Sequence, residues 1–376
     1  MSSVTVPLKK QIIFGFLALV IVLVALEGIV RFYELNNPDC TFLHKDAYDE
    51  TGYFLTRTIC NNFNTQLYED WGVDTIKIPV NSPNQHSTTI NINSHGFRGE
   101  EISKQKLENV YRIFVIGGST TFSAASTSDE TTVPGYLQHK FDSENLSFKV
   151  EVINAGIPTA DSFSETYLLK NKLIDFEPDL FIIFDGWNDA KHDVNMWTDL
   201  LKESDVKTDF EDETGSLFKF KNFPYYRTPF LIFDIFFSHD IYWNNYLIDE
   251  TQTSQKVSLW ENRWKEVCEL GNQTGFDVII TVQPALGTGN KILSPDETNL
   301  APYLDEHFAI HRVMEDMVYS LNNLEKNCKK TVDLRNVFDG ISEPIFYDPI
   351  HTNSFGNRII AEKIFELSLP VVLDKN

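Results

Sequence analysis

Residues 111–120 read YRIFVIGGST, an apolar run that ends in two glycines, a serine and a threonine. Such a run, broken only by Arg112, suits a strand buried on both faces of a parallel sheet. The glycine pair marks a sharp turn at its carboxyl end. Outward from this segment the pattern returns. Residues 148–154 (FKVEVIN) lead into Ala155-Gly156, and 179–185 (DLFIIFD) lead into Gly186-Trp187-Asn188-Asp189. Residues 277–282 (DVIITV) form a fourth apolar run and 331–334 a weaker fifth. Helical stretches at 133–141, 162–174, 259–270, 304–324 and 354–367 alternate with them. This alternation predicts a three-layer α/β/α sandwich with a mostly parallel, flavodoxin-like sheet of about five strands. In such sheets the ligand crevice lies outside the carboxyl ends of the strands. The residues at those ends are therefore the candidates for chemistry.

Ser119 sits at a glycine-rich strand-to-helix turn, which exposes its hydroxyl beside a backbone N–H. Gly-Gly-Ser alone is common in ordinary loops. The Gly156 N–H and the Asn188 side-chain amide are suitable donors to a developing oxyanion, although each also reads as a turn glycine or a helix cap. Near the C-terminus stands Tyr347-Asp348-Pro349-Ile350-His351. The three-residue step lets one loop bring a carboxylate to the imidazole and fix its tautomer. The other ring nitrogen is then free to take a proton from serine. Each signal is weak by itself; their order at successive strand ends is what decides.

Taken together, Gly-Gly-Ser119-Thr, Gly156, Gly-Trp-Asn188-Asp and Asp348-Pro-Ile-His351 resemble the blocks of the SGNH/GDSL hydrolase superfamily, over about residues 111–367. The four residues that name the superfamily match Ser119, Gly156, Asn188 and His351. The resemblance implies that Ser119 attacks an acyl carbonyl. It also implies an oxyanion hole made of the Ser119 and Gly156 N–H groups and the Asn188 amide. His351 would serve as base and then acid, Asp348 would orient it, and no metal or other cofactor is implied. There is one departure: Gly118 stands where the namesake block carries Asp. That Asp is outside the triad, so no loss of catalysis is expected. Asp189 is expected to shape the turn. Asn93-Ser-His-Gly-Phe-Arg98 resembles an Asn-x-x-Gly-x-Arg segment of membrane-anchored relatives, which makes Arg98 a candidate substrate-binding residue or, equally, part of a structural ion pair.

The N-terminus carries a different signal. Residues 12–26 hold no charge, and apolar character resumes at 28–30 after Glu27. That is about the length of a bilayer-spanning helix. Lys9 and Lys10 precede it, and no small-x-small cleavage site follows. The expectation is an uncleaved single-pass anchor in the lipid bilayer, with the body outside the cytoplasm. The organisation read from sequence is a tail and anchor at 1–31, a stalk and N-terminal extension at 32–108, and the hydrolase domain at 109–376. An aromatic-rich insertion at about 190–256 reads either as a substrate-binding lid or as a helical element packed on the core. The four cysteines form no CxxC or CxxH pattern. In an oxidising compartment they predict two disulfides, most simply Cys40–Cys60 and Cys268–Cys328, with the other pairings open. Asn145 and Asn272 begin weak glycosylation sequons, and His307 with His311 reads as a solvated helix face rather than a metal site.

The net charge of −22, with no basic stripe, argues against nucleic acid as a partner. Neither a Walker sequence nor GxGxxG is present, which argues against nucleotide cofactors. The expected function is an exported, membrane-tethered serine esterase that removes acyl groups, O-acetyl first among them, from cell-surface or extracellular glycans. The rival classes are a glycan O-acetyltransferase with the same triad, a lipase or thioesterase, and a non-catalytic glycan-binding module.

Overall fold

The computed structural model describes residues 7–36, 68–73, 76–87, 89–194, 250–300 and 308–374. Helix α1 spans Leu8–Asn36, and its Leu8–Tyr33 stretch is long and apolar enough, by length and composition, to cross a membrane. Glu27, its one acidic residue before Arg31, pairs with that arginine one turn later at 2.9 Å.

Next come two small antiparallel pairs: β1 (Tyr68–Trp71) with β2 (Ile78–Asn81), and β3 (Gln85–His86) with β4 (Asn91–Ile92). Ile78, Val80 and Phe97 bury their side chains in the main core. This stretch shows no periodicity in sequence because its strands are too short to repeat a pattern.

The central sheet contains β5 (Val110–Ile116), β6 (Lys149–Asn154), β7 (Leu180–Asp185), β8 (Asp277–Val282) and β9 (Lys330–Asp333). They run parallel in the order β6-β5-β7-β8-β9. Between and after them lie α2 (Ser119–Phe122), α3 (Val133–Asp142), α4 (Ser162–Asn171), α5 (Trp187–Lys191), α6 (Thr253–Thr274), α7 (Pro295–Thr298), α8 (Phe308–Leu324) and α9 (Ser354–Asp374). Strand side chains alternate between two cores. Phe114, Ile116, Phe181 and Ile183 pack beneath α4, α6 and α8, whereas Ile113, Val115, Leu180 and Ile182 pack beneath α3 and α9. The result is the expected three-layer α/β/α sandwich with a five-stranded parallel sheet. The chain leaves β5 toward β6 and leaves β7 toward β8, so the switch point lies at the carboxyl ends of β5 and β7.

Two elements run further than the sequence pattern suggests. Helix α6 starts at Thr253, within the expected insertion, because Lys256, Trp260 and Trp264 all turn into the core. Helix α9 continues through Pro370, whose missing N–H usually ends a helix, because Val371 and Val372 anchor the last turn in the core. Cys268 on α6 is bonded to Cys328 before β9, with a Cα–Cα distance of 4.9 Å. The other expected pair, Cys40–Cys60, lies outside the described residues, as do His307 and residues 195–249 of the aromatic insertion.

Candidate active site

Strand β5 ends at Ile116, and the chain turns through Gly117 and Gly118 into the one-turn helix α2, which begins at Ser119. The glycines are steric requirements. A Cβ on Gly117 would collide with the Phe184 carbonyl and the Thr121 hydroxyl, and one on Gly118 would lie 2.5 Å from the Asn188 amide nitrogen. Gly118, the departure from the namesake block, thus lets the Asn188 side chain lie directly against the serine turn.

The 345–352 loop is closed by an antiparallel bridge between Phe346 and Thr352 and by Tyr347 N–H donating to the His351 carbonyl at 3.0 Å. Leu286 N–H donates to the Pro349 carbonyl at 2.8 Å, which ties the loop to the end of β8. Within it, Asp348 Oδ1 accepts the backbone N–H groups of Ile350 (2.8 Å) and His351 (2.7 Å). Its Oδ2 accepts His351 Nδ1–H at 2.6 Å. A carboxylate only accepts, so Nδ1 carries the proton and Nε2 is left as an acceptor. The Ser119 hydroxyl lies 2.7 Å from Nε2 and donates to it. Residues 232 positions apart in the chain thus meet in one line of hydrogen bonds.

From Leu180 to Ala190, Asn188 is the one side chain that is not buried. Its amide donates to the Ala160 carbonyl at 2.7 Å, which occupies one of its two hydrogens and holds the other beside the serine turn. The Gly156 N–H is placed differently from the expectation. It donates to Asn154 Oδ1 at 3.0 Å, and a Cβ at Gly156 would strike the Phe122 backbone nitrogen. Gly156 is a glycine because its loop presses against the back of α2. Of the N–H groups in this turn, Ala155 donates to Val115, Ile157 to Gly117 and Ala160 to Ile157, while Pro158 has none. Among the described residues the Thr159 N–H has no acceptor. Thr159 is exposed and holds φ at 68°, a left-handed conformation that a β-branched residue rarely adopts.

Arg98 does not line the crevice either. Its side chain is fully buried and its guanidinium is spent on protein acceptors.

Behind Asn188 lies a buried acidic group that the sequence did not advertise. Asp189 accepts the Ser162 N–H at 2.8 Å and the Ser162 hydroxyl, and Arg263 stands 3.6 Å away. Burial pushes the Asp189 carboxyl up, Asp161 adds to the shift, and Arg263 opposes it. Burial, followed by the charge of Asp189, raises Asp185 well above the ordinary carboxyl range. Glu165 is raised likewise, by burial first and then by Asp185, Asp189 and Asp161, and its two oxygens have no hydrogen-bond partner among the described residues. Lys191, three residues past Asn188, is pulled down to about 8 by burial, against the attraction of Asp348.

The sign of the Glu165 shift gives a stability test. The folded state holds a proton that the unfolded chain releases above 4.5, so this group's contribution to stability falls as pH rises from there toward the folded-state value. Glu165→Gln, of equal shape and never charged, should raise the melting temperature more at about pH 8 than at about pH 5. An equal change at both pH values in calorimetry would mean that Glu165 is not held protonated.

No family model and no curated protein matches the chain. Among solved structures, it is similar to an acetyl xylan esterase, AlAXEase, at 16% identity and a TM-score of 0.41, covering 68% of this chain and 98% of that one. A putative lipolytic protein of the G-D-S-L family from Desulfitobacterium hafniense DCB-2 matches at 14% identity and a TM-score of 0.39, covering 68% and 98%. A lipase/acylhydrolase from Enterococcus faecalis matches at 16% identity and a TM-score of 0.40, covering 69% and 95%.

Proposed function

We propose that the chain is a serine esterase working through an acyl-serine intermediate, with Ser119 as nucleophile, His351 as base and Asp348 as its orienting partner. The observation that carries this reading is the continuous Ser119–His351–Asp348 relay, at 2.7 and 2.6 Å. Ser119 Oγ attacks the acyl carbon while its proton passes to His351 Nε2, and Asp348 stabilises the resulting imidazolium. The carbonyl oxygen takes up negative charge and is met by the second Asn188 amide hydrogen and the backbone N–H groups of Ser119 and Thr159. Collapse expels the alcohol, which leaves with the proton from Nε2. Water then gives a proton to Nε2, attacks the acyl-serine and releases the carboxylic acid, returning Ser119 to its starting state.

In this reading the second loop contributes Thr159, not Gly156, and its left-handed backbone aims the donor. A left-handed conformation costs a residue with a Cβ about 1–2 kcal/mol. Glycine relieves that cost but loses about 0.5–1 kcal/mol in chain entropy. Thr159→Gly should therefore keep kcat within about threefold, because the donor is main chain, and raise stability by up to about 1.5 kcal/mol. A large fall in kcat would show that the threonine side chain itself takes part.

The proposed setting is outside the cytoplasm, with α1 in the bilayer. The Lys9–Lys10 pair before the apolar run and the Cys268–Cys328 bond support it, since disulfides persist in oxidising compartments. O-acetyl groups on surface or extracellular glycans are the esters such a location offers. The test is acetate release from O-acetylated polysaccharides, compared with long-chain esters. Preference for the long-chain esters would replace this substrate with a lipid or thioester one.

A further inference from the structure

Helix α2 is a single turn, closed by Phe122 N–H donating to the Gly118 carbonyl at 3.0 Å. One turn of helix is unstable by itself, because fixing its backbone gains almost no hydrogen bonding. Its last carbonyls also lack helical partners. Ser123 and Thr121 supply local side-chain hydrogen bonds to this turn, and its C-terminal carbonyls are held by the N-terminal extension. Arg98 donates through Nη1 to the Phe122 and Ser123 carbonyls, both at 2.9 Å, and through Nη2 to the carbonyls of Ser126 (3.3 Å) and Thr89 (3.2 Å). Its Nε donates to Asp129 at 2.8 Å, and the guanidinium carbon lies 4.9 Å from the centre of the Phe122 ring. All five N–H directions of the fork are used.

The same extension grips the second loop. Arg98 N–H donates to the Asn154 carbonyl at 3.1 Å. Asn81 reaches from β2 to the carbonyls of Gly156 (2.9 Å) and Gly96 (3.3 Å). Asn93 knots the turn between them, its Oδ1 accepting the N–H groups of His95 and Phe97, both at 3.0 Å.

We infer that the Asn93–Arg98 turn is a positioning element for the acyl site: Arg98 fixes the C-terminal end of the nucleophile's one-turn helix, and the extension carrying it is a working part of the catalytic unit. This rests on the esterase reading for its consequence in turnover, but the clamp itself is judged independently. A lysine at 98 keeps the charge and supplies a point donor that cannot serve five divergent acceptors.

The experiment compares the full chain with Arg98→Lys, with Arg98→Ala in the presence and absence of millimolar guanidinium, and with Leu137→Ala, a cavity variant in the opposite core layer. Kinetics on an aryl acetate are measured below the melting transition of every variant, together with hydrogen–deuterium exchange. Arg98→Lys should lower kcat by on the order of tenfold to a hundredfold with KM little changed. It should also speed exchange over 117–127 while leaving β7 protected. Guanidinium should restore part of the kcat of Arg98→Ala, and Leu137→Ala should lose stability while keeping kcat. The inference is overturned if exchange over 117–127 is unchanged in Arg98→Lys, or if its kcat matches wild type. It is equally overturned if exchange quickens everywhere, as for a merely destabilised fold. Should wild type and Ser119→Ala prove equally inactive, the esterase reading fails and the exchange data alone decide the clamp.

Discussion

Ser119→Ala removes turnover of a small aryl acetate, by about a millionfold in kcat if the three residues act as one unit, while the fold is kept. The size follows from the chemistry. Without the hydroxyl, His351 has nothing to activate except water, and no acyl-enzyme forms. The small residue of catalysis expected is what oxyanion donors and substrate positioning supply without a nucleophile, about a thousandfold to ten-thousandfold over water. Stability should change little. Ser119 is only half-buried, and the loss is one hydrogen bond, of the order of 1 kcal/mol. The measurement is steady-state hydrolysis alongside thermal unfolding, with mass spectrometry locating a phosphonate adduct on Ser119 in wild type. A folded variant that hydrolyses the ester at the wild-type rate would remove Ser119 from the mechanism.

Much of this is legible in the sequence, and the reason is physical. Strands buried on both faces must be apolar throughout, so runs such as Phe181 to Phe184 announce themselves. Chemistry in a parallel sheet collects at strand ends, and the groups that the esterase reading assigns there, Ser119, Asn188 and His351, would act through side chains that sequence displays. What stayed hidden acts through the backbone or through burial. Gly156 looked like a donor because glycine is conspicuous, yet its N–H goes to Asn154 and the absent side chain makes room for Phe122. Thr159 is inconspicuous because its significance is a dihedral angle and an unengaged N–H. Arg98 was visible as a motif, but no pattern says whether a guanidinium points into a crevice or into the protein. For Glu165, Asp185 and Lys191 the decisive property is the environment, and a charged letter in a sequence carries no mark of it.

Asn188→Ala carries the second large expected effect, a fall in kcat of roughly a hundredfold or more with KM close to wild type. A donor aimed at charge that develops only in the transition state contributes to kcat, because the neutral ground-state carbonyl draws little on it. Two features of the structure bear on the size. The amide is preorganised: one hydrogen is held by the Ala160 carbonyl at 2.7 Å, and Gly118 leaves it lying against the serine turn. Preorganised dipoles need no reorientation as the reaction proceeds, which places the loss at the upper end for one donor. The second feature is the acid group behind it. Asp189, adjacent in sequence, ties α5 to Ser162 at the start of α4, so removing the Asn188 amide leaves the helix anchored. The loss should therefore be one of rate, without a large loss of stability. Asn188→Asp separates donation from shape: it keeps the outline, replaces the N–H groups by acceptors, and sets a carboxylate against the serine turn. Its kcat should fall at least as far as that of the alanine variant, and more steeply as pH rises and the new acid ionises. An Asn188→Ala enzyme with unchanged kcat would remove the amide from the oxyanion site and leave the charge to the Ser119 and Thr159 N–H groups alone.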